Sequence, residues 1–370
     1  MWIITYLYLF IFSFLLSLGL TPLFRKLSFK LNILDIPSER KVHTKPKPLL
    51  GGLALYFSLS VTLSINLLIL KFLWNNPHLL LFIPDSFIDR LPPFERETQK
   101  ILPILMGGTL IMLLGLIDDI KRLSAFTKVF SSALIAVMMV LLGVRVSLFM
   151  PNIFLGGLLT VIWIVLITNT FNMLDNMDGL ACGVALIATL IFFGITSFQH
   201  QLFTSAMLII FAGSLVGFLL FNWYPSSIFM GDAGSMWIGF TLATLTILAT
   251  YYSEGKPTLF PVVMPLLILG VPIFDAISVM TIRIIRRKPL FMGDKNHFSH
   301  RLMQLGMTQA QAVAFIYLVT LCIGINATLL ATVGKSGVMV ILLQAVVIFV
   351  IIALLEYTGR KSTQKKGDLE

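Results

Sequence analysis

The chain has 370 residues, of which 57% are hydrophobic and only 12% charged, and its mean hydropathy is +0.94. That balance excludes an ordinary water-soluble domain, in which about a quarter of the residues are charged. The formal charge of +10 needs no nucleic acid to explain it, because basic residues at the cytoplasmic ends of membrane helices and attraction to anionic lipid produce such a surplus.

Long apolar runs recur along nearly the whole length, each close to the ~20 residues that carry a helix across a hydrocarbon core about 30 Å thick. They predict eleven spans, over 3–23, 49–73, 101–117, 129–149, 154–171, 180–197, 203–222, 235–252, 258–282, 312–334 and 337–356. The runs are continuously apolar, whereas barrel strands alternate apolar and polar positions over about 10 residues. The expected fold class is therefore an all-α integral membrane protein, a single polytopic domain over 1–370 with a basic tail over 357–370. The first run has no Lys or Arg before Gly19 and is longer than a signal-peptide core, so it reads as a retained membrane helix. Cys182 and Cys322 both fall inside predicted spans, where a free Cys behaves as a small apolar residue, and neither supports a disulfide framework or a zinc site.

With the N-terminus outside, 20 of the 27 Lys and Arg fall in the inside loops or the tail. The positive-inside rule thus predicts an N-out, C-in protein of the inner (plasma) membrane. Asp118, Asp119, Asp175, Asp178, Asp232 and Asp294 all fall on the same, cytoplasmic, face. Acidic residues have little influence on orientation, so this gathering predicts a shared cation or proton-transfer site.

Five segments on that face carry chemistry. The first inside loop, Asp35-Ile-Pro-Ser-Glu-Arg40-Lys41-Val-His43-Thr-Lys-Pro-Lys-Pro-Leu-Leu-Gly-Gly52, is kept non-helical by its prolines and has basic residues suited to a nucleotide or lipid phosphate. Asp118 and Asp119 end the third run. Adjacent carboxylates repel, and the pair is tolerable beside Mg²⁺ or a cationic side chain, or salt-bridged to Lys121 and Arg122 at a solvated helix end. Asn169-Thr-Phe-Asn172-Met-Leu-Asp175-Asn-Met-Asp178-Gly179 sets polar groups three apart, so that Asn172, Asp175 and Asp178 can line one helix edge; alternatively Asp175 or Asp178 caps the next helix.

The fourth segment, Phe221-Asn222-Trp-Tyr-Pro-Ser-Ser-Ile-Phe229-Met-Gly-Asp232-Ala-Gly-Ser235, leads into the eighth run. A helix start after Asp232 offers amide donors to phosphate, Phe229 can stack on a base, and Trp223 and Tyr224 read as interfacial aromatics. In the fifth, Gly293-Asp-Lys-Asn-His297-Phe-Ser-His300-Arg301, His and Arg donors suit phosphate oxygens, whereas zinc would need a nearby Cys or Glu partner.

In this order and on one face, the segments resemble the polyprenyl-phosphate N-acetylhexosamine-1-phosphate transferases of glycosyltransferase family 4. Asp-x-Pro-x-x-Arg-Lys-x-His followed by Pro-x-Pro-x-x-Gly-Gly is similar to the undecaprenyl-phosphate N-acetylglucosamine-1-phosphate transferase branch. The resemblance departs at His297-Phe-Ser-His300, where the family commonly has His-x-His-His. It implies transfer of N-acetylglucosamine-1-phosphate from a UDP-sugar to polyprenyl phosphate, with release of UMP, to initiate a cell-envelope glycan. Carried over by position, Asp118, Asp119, Asp232 and His297 would be catalytic. Asp232, Asp118, Asp119 and Asn172 would serve Mg²⁺, for which Mn²⁺ could substitute. Asn172, Asp175, Asp178, Asn222, Phe229, His300, Arg301, Arg40, Lys41 and His43 would bind substrate, with Phe229 stacking on uracil and Asp178 reading its edge. The implied partners are a UDP-N-acetylhexosamine and a polyprenyl phosphate lipid, and a homodimer is compatible with the reading.

Two rivals make different expectations. A phospho-N-acetylmuramoyl-pentapeptide transferase would differ in sugar specificity, and a transporter would place its charges near the membrane midplane. Only Asp275 lies well within a predicted span.

Overall fold

The computed structural model describes residues 2–37, 45–76, 78, 94–146, 152–249, 251, 260–289 and 296–367. Among them are thirteen α-helices, which we number in chain order. The first half contains α1 (Trp2–Lys30), α2 (Gly51–Asn75), α3 (Phe94–Lys121), α4 (Ala125–Leu141), α5 (Ile153–Leu174), α6 (Leu180–Phe198) and α7 (Leu202–Asn222). The rest comprises α8 (Gly231–Leu248), α9 (Met264–Ile268), α10 (Gly270–Ile285), α11 (Phe298–Gln304), α12 (Gln309–Thr328) and α13 (Lys335–Gly367). Two short strands, β1 (Leu34–Asp35) and β2 (Lys47–Pro48), pair antiparallel in the first loop, Asp35 opposite Lys47. The all-α fold class holds, with this ribbon as its one addition among the described residues.

Among the described residues, eight helical segments are by length and composition long and apolar enough to cross a membrane, where eleven runs were expected: α1, α2, 98–121 of α3, α5, α6, α7, 309–331 around α12, and 335–358 of α13. The other expected runs are helical over most of their described residues, and each falls short for a local reason. Helix α4 has only 17 residues, ending before Gly143 adopts a φ of +92°. Helix α8 opens with Gly231, Asp232, Gly234 and Ser235, which dilute its apolar character. The run over 258–282 is divided into a 3₁₀ turn, α9 and α10, because Pro272 has no N–H to bond the carbonyl of Ile268.

Helix starts are written in the sequence. Ser124 accepts from the Thr127 N–H, Asn152 from those of Phe154 and Leu155, and Thr308 with Gln311 forms a capping box.

At the centre stands α8, buried without a break from Ala233 to Thr246. It packs against α2, α3 and α5, and its buried faces carry apolar and small residues with Ser235, Thr241, Thr244 and Thr246 among them. Gly52 makes the closest approach: a Cβ there would lie 2.2 Å from the Gly234 amide nitrogen. The Gly-Gly pair of the first-loop motif is thus where α2 enters backbone contact with the start of α8.

Candidate active site

The site grows from the N-terminal end of α8. Gly231 turns with a φ of +67°, and a Cβ there would fall 2.4 Å from Asp119 Oδ2. Asp119 uses that space: its carboxylate accepts from the backbone N–H groups of Asp232 (2.8 Å) and Ala233 (3.1 Å). It therefore caps α8 from another helix, at the end where the helix dipole favours an anion. Its neighbour Asp118 faces elsewhere, although both were expected to serve one metal. Asp118 Oδ1 accepts from the Leu123 N–H (2.6 Å), and Oδ2 pairs with Lys128 Nζ (2.7 Å).

Lys128 of α4 is the meeting point. Its ammonium also lies 2.9 Å from Asp232 Oδ2 and 3.4 Å from Asn172 Oδ1, and Asn172 in turn donates to Ser235 Oγ at 3.0 Å. The charge partner of Asp118 is thus Lys128, not the helix-end residues Lys121 or Arg122. Asp118, Asp232 and Asn172 converge on one cation, a donor set that fits Mg²⁺ completed by phosphate oxygens and water. Among the described residues no group of three or more His, Cys, Asp or Glu could hold a metal by itself.

Below this cluster, α5 ends at Leu174 and Asp175 becomes its C-cap. Asp175 and Asp178 do not continue a helix edge with Asn172, nor does either cap α6, whose N-cap is Gly179 in the left-handed region at φ 75°. Burial pushes the Asp175 carboxyl up to about 8, reinforced by the charges of Asp232, Asp178 and Asp35. The turn is held from three sides. Asp178 Oδ2 accepts from the Ser226 N–H (2.8 Å), Asn222 Oδ1 accepts from the Gly179 N–H (3.2 Å), and the Tyr317 hydroxyl donates to the Gly179 carbonyl. Asn222 also donates to the Ile228 carbonyl at 3.0 Å, so both ends of its amide position backbone.

Phe229 borders the same region because the first loop is stitched to it. The Phe229 N–H donates to the Pro48 carbonyl (2.8 Å), and the Gly51 N–H donates to the Phe229 carbonyl (3.0 Å). Lys47 donates to the Ser226 carbonyl, and its Nζ lies 5.8 Å from the centroid of the half-buried Phe229 ring. Arg40, Lys41, His43 and Asp294 lie outside the described residues.

The His loop arrives on α11. His297 Nδ1 lies 2.9 Å from Asp275 Oδ2, and Ser299 Oγ donates to Asn176 Oδ1, which joins α11 to the Asp175–Gly179 turn. The ring of His300 is 6.5 Å from that of His297. Arg301, expected to meet phosphate, is only 2% exposed. Its guanidinium donates to Glu356 (2.8 Å), the Ser278 hydroxyl (2.9 Å) and the Asn296 carbonyl.

Sequence reasoning overlooked Lys128, Lys47, Asp275 and Ser299 as members of this assembly. Lys128 had a signal: it is the sole charged residue in the apolar α4, and a lone charge among membrane helices marks function by default.

The profile of glycosyl transferase family 4 matches residues 101–250. Over 357 residues the chain is 32% identical to a probable undecaprenyl-phosphate N-acetylglucosaminyl 1-phosphate transferase of Bacillus subtilis, covering 94% of this chain and 89% of that protein. A decaprenyl-phosphate N-acetylglucosaminephosphotransferase of Mycobacterium leprae is 31% identical, with 80% and 77% covered. An undecaprenyl-phosphate alpha-N-acetylglucosaminyl 1-phosphate transferase of Thermotoga maritima is 26% identical, with 84% and 93% covered.

Proposed function

The chain belongs to glycosyl transferase family 4, and we propose that it transfers N-acetylglucosamine-1-phosphate from UDP-N-acetylglucosamine to undecaprenyl phosphate. The observation that carries this reading is the convergence of Asp118, Asp232 and Asn172 on one cation, with Asp232 three residues beyond Phe229. An oxygen of the lipid phosphate attacks the β-phosphorus of the UDP-sugar. The new P–O bond forms as the bond to the bridging oxygen breaks, and UMP departs with that electron pair.

Mg²⁺ held by Asp118, Asp232 and Asn172 would spread the negative charge that develops on the phosphates. The chain's own residues position the partners. Phe229 offers a ring face to uracil, Asp178 an acceptor to its edge, His300 a donor to phosphate, and His297 an acceptor for the proton of a singly ionised lipid phosphate. Lys128, Arg40, Lys41 and His43 add positive charge for phosphates. The second ionisation of a phosphate monoester lies near 6, so charge neutralisation and alignment matter more than a general base.

In this reading the shorter and broken helices complete eleven crossings, with the N-terminus outside and the site open to the cytoplasm. The names of the relatives favour N-acetylglucosamine over a muramoyl-pentapeptide. Carboxylates grouped at helix ends favour a transferase over a transporter.

The test is purified protein in detergent with undecaprenyl phosphate, Mg²⁺ and radiolabelled UDP-N-acetylglucosamine or UDP-N-acetylmuramoyl-pentapeptide. Lipid-linked label and UMP should appear with the first donor only. Product from the pentapeptide donor alone, or from neither, would refute the proposal.

A further inference from the structure

Asp275 sits on α10 and is only 1% exposed, in a helix whose other buried side chains are mostly apolar. A carboxylate so placed survives only if its oxygens are matched by donors. Both are: Oδ2 lies 2.9 Å from His297 Nδ1, and Oδ1 accepts the Phe298 N–H at 2.6 Å. His297 is the N-cap of α11 and makes no side-chain cap bond of its own. Asp275 therefore supplies from α10 the acceptor that the first N–H of α11 lacks.

We propose that Asp275 is the positioning residue for His297, fixing its imidazole as the Nδ1–H tautomer and presenting the unprotonated Nε2 to the phosphate site as an acceptor. The inference rests on the transferase reading, in which His297 meets phosphate. An ionised carboxylate can only accept, so the bond places the proton on Nδ1, and Nε2 lies on the opposite edge of the ring. Such a partner sets both tautomer and orientation.

The surroundings prevent the ring from drifting. Ser299 anchors the first turn of α11 to Asn176, and Arg301 anchors the next to Glu356 of α13 and Ser278 of α10. Among the described residues, charged and titratable groups next to the pair include His300 and Arg301 from α11 and, through Arg301, Glu356 from α13.

Asp275→Asn separates this role from packing. The carboxamide has one acceptor for two donors. Turning its NH₂ toward the Phe298 N–H would leave two donors facing each other in a buried place, the costlier choice. The variant should keep its oxygen on Phe298 and offer the NH₂ to His297 Nδ1, which moves the ring proton to Nε2. Nitrogen-15 NMR of the full-length histidine-labelled protein at about pH 8 reads the tautomer, with the His297 signal assigned by its loss in His297→Asn.

The wild type should show a protonated Nδ1 and Asp275→Asn a protonated Nε2. The variant's kcat should fall about 10- to 100-fold, with the KM for UDP-sugar changed less than about threefold, and Asp275→Glu should recover part of both signals. A wild-type ring protonated on Nε2, or an Asp275→Asn enzyme with wild-type kcat, would overturn the proposal. The wild-type spectrum decides even if the variant does not fold. If the wild type transfers no N-acetylglucosamine-1-phosphate, the transferase reading fails, whereas the tautomer still judges Asp275.

Discussion

Replacing Lys128 by Met removes the only cation that bridges Asp118 and Asp232 among the described residues. The ammonium lies 2.7 Å and 2.9 Å from their oxygens, and the three side chains are 18%, 6% and 33% exposed. Deleting one partner of a fully buried pair costs roughly 3–5 kcal/mol, and of an exposed pair about 0–1 kcal/mol. This site lies between, so about 2–3 kcal/mol is expected, because two carboxylates are left facing each other. On a scale of roughly 2–4 °C per kcal/mol, Lys128→Met should unfold about 4–12 °C lower than wild type in EDTA. Mg²⁺ binding the folded form should then restore more stability to the variant than it adds to the wild type, because it takes the place of the ammonium. Thermal unfolding in detergent, with EDTA and with a Mg²⁺ series, reads both effects. A variant as stable as wild type in EDTA, or equal Mg²⁺ shifts in the two proteins, would refute the placement of the metal between Asp118 and Asp232.

Asp119→Asn should destabilise by about 1–3 kcal/mol, because one of the two α8 amide groups it serves is left unmatched, and Mg²⁺ should not reverse the loss in the same unfolding assay. Phe229→Ala should raise the KM for UDP-sugar about tenfold or more, since stacking on a base is worth about 1–3 kcal/mol; steady-state kinetics with each substrate varied should leave the KM for lipid phosphate nearly unchanged. Asp175 has its folded-state pKa pushed up to about 8, from 3.8. The folded protein then holds a proton that the unfolded chain has lost, so this contribution to stability is complete below about pH 4 and declines until about pH 8. Asp175→Asn should lack that decline, and a wild-type minus variant difference in melting temperature that stays flat from pH 5 to 8 in EDTA would count against it.

The membrane class was legible because apolar runs carry one meaning whatever their neighbours. Which of those runs form unbroken, full-length apolar helices was not. Hydropathy cannot distinguish a helix that faces lipid from one wrapped by protein, and α8 is wrapped from Ala233 to Thr246. Nor could it foresee that Pro272 would divide one apolar run into α9 and α10. The caps at Ser124, Asn152 and Thr308 were local signals, whereas the approach of Gly52 to Gly234 links positions 182 residues apart.

Within the site, residue types were legible and directions were not. Asp118 and Asp119 are adjacent, and adjacency suggests one shared task. Successive residues on a helix nevertheless point about 100° apart, and here that angle divides the labour. Asp118 turns to the Lys128 ammonium, while Asp119 turns to the first amides of α8. The division has a consequence for the chemistry. Asp232 occupies one position in both relations, its side chain on the cation and its backbone N–H on Asp119. Under the proposed Mg²⁺ site, a carboxylate that receives a divalent ion needs a fixed backbone behind it. Asp119 restrains that backbone from α3, so the proposal gives the pair the roles of ligand and brace.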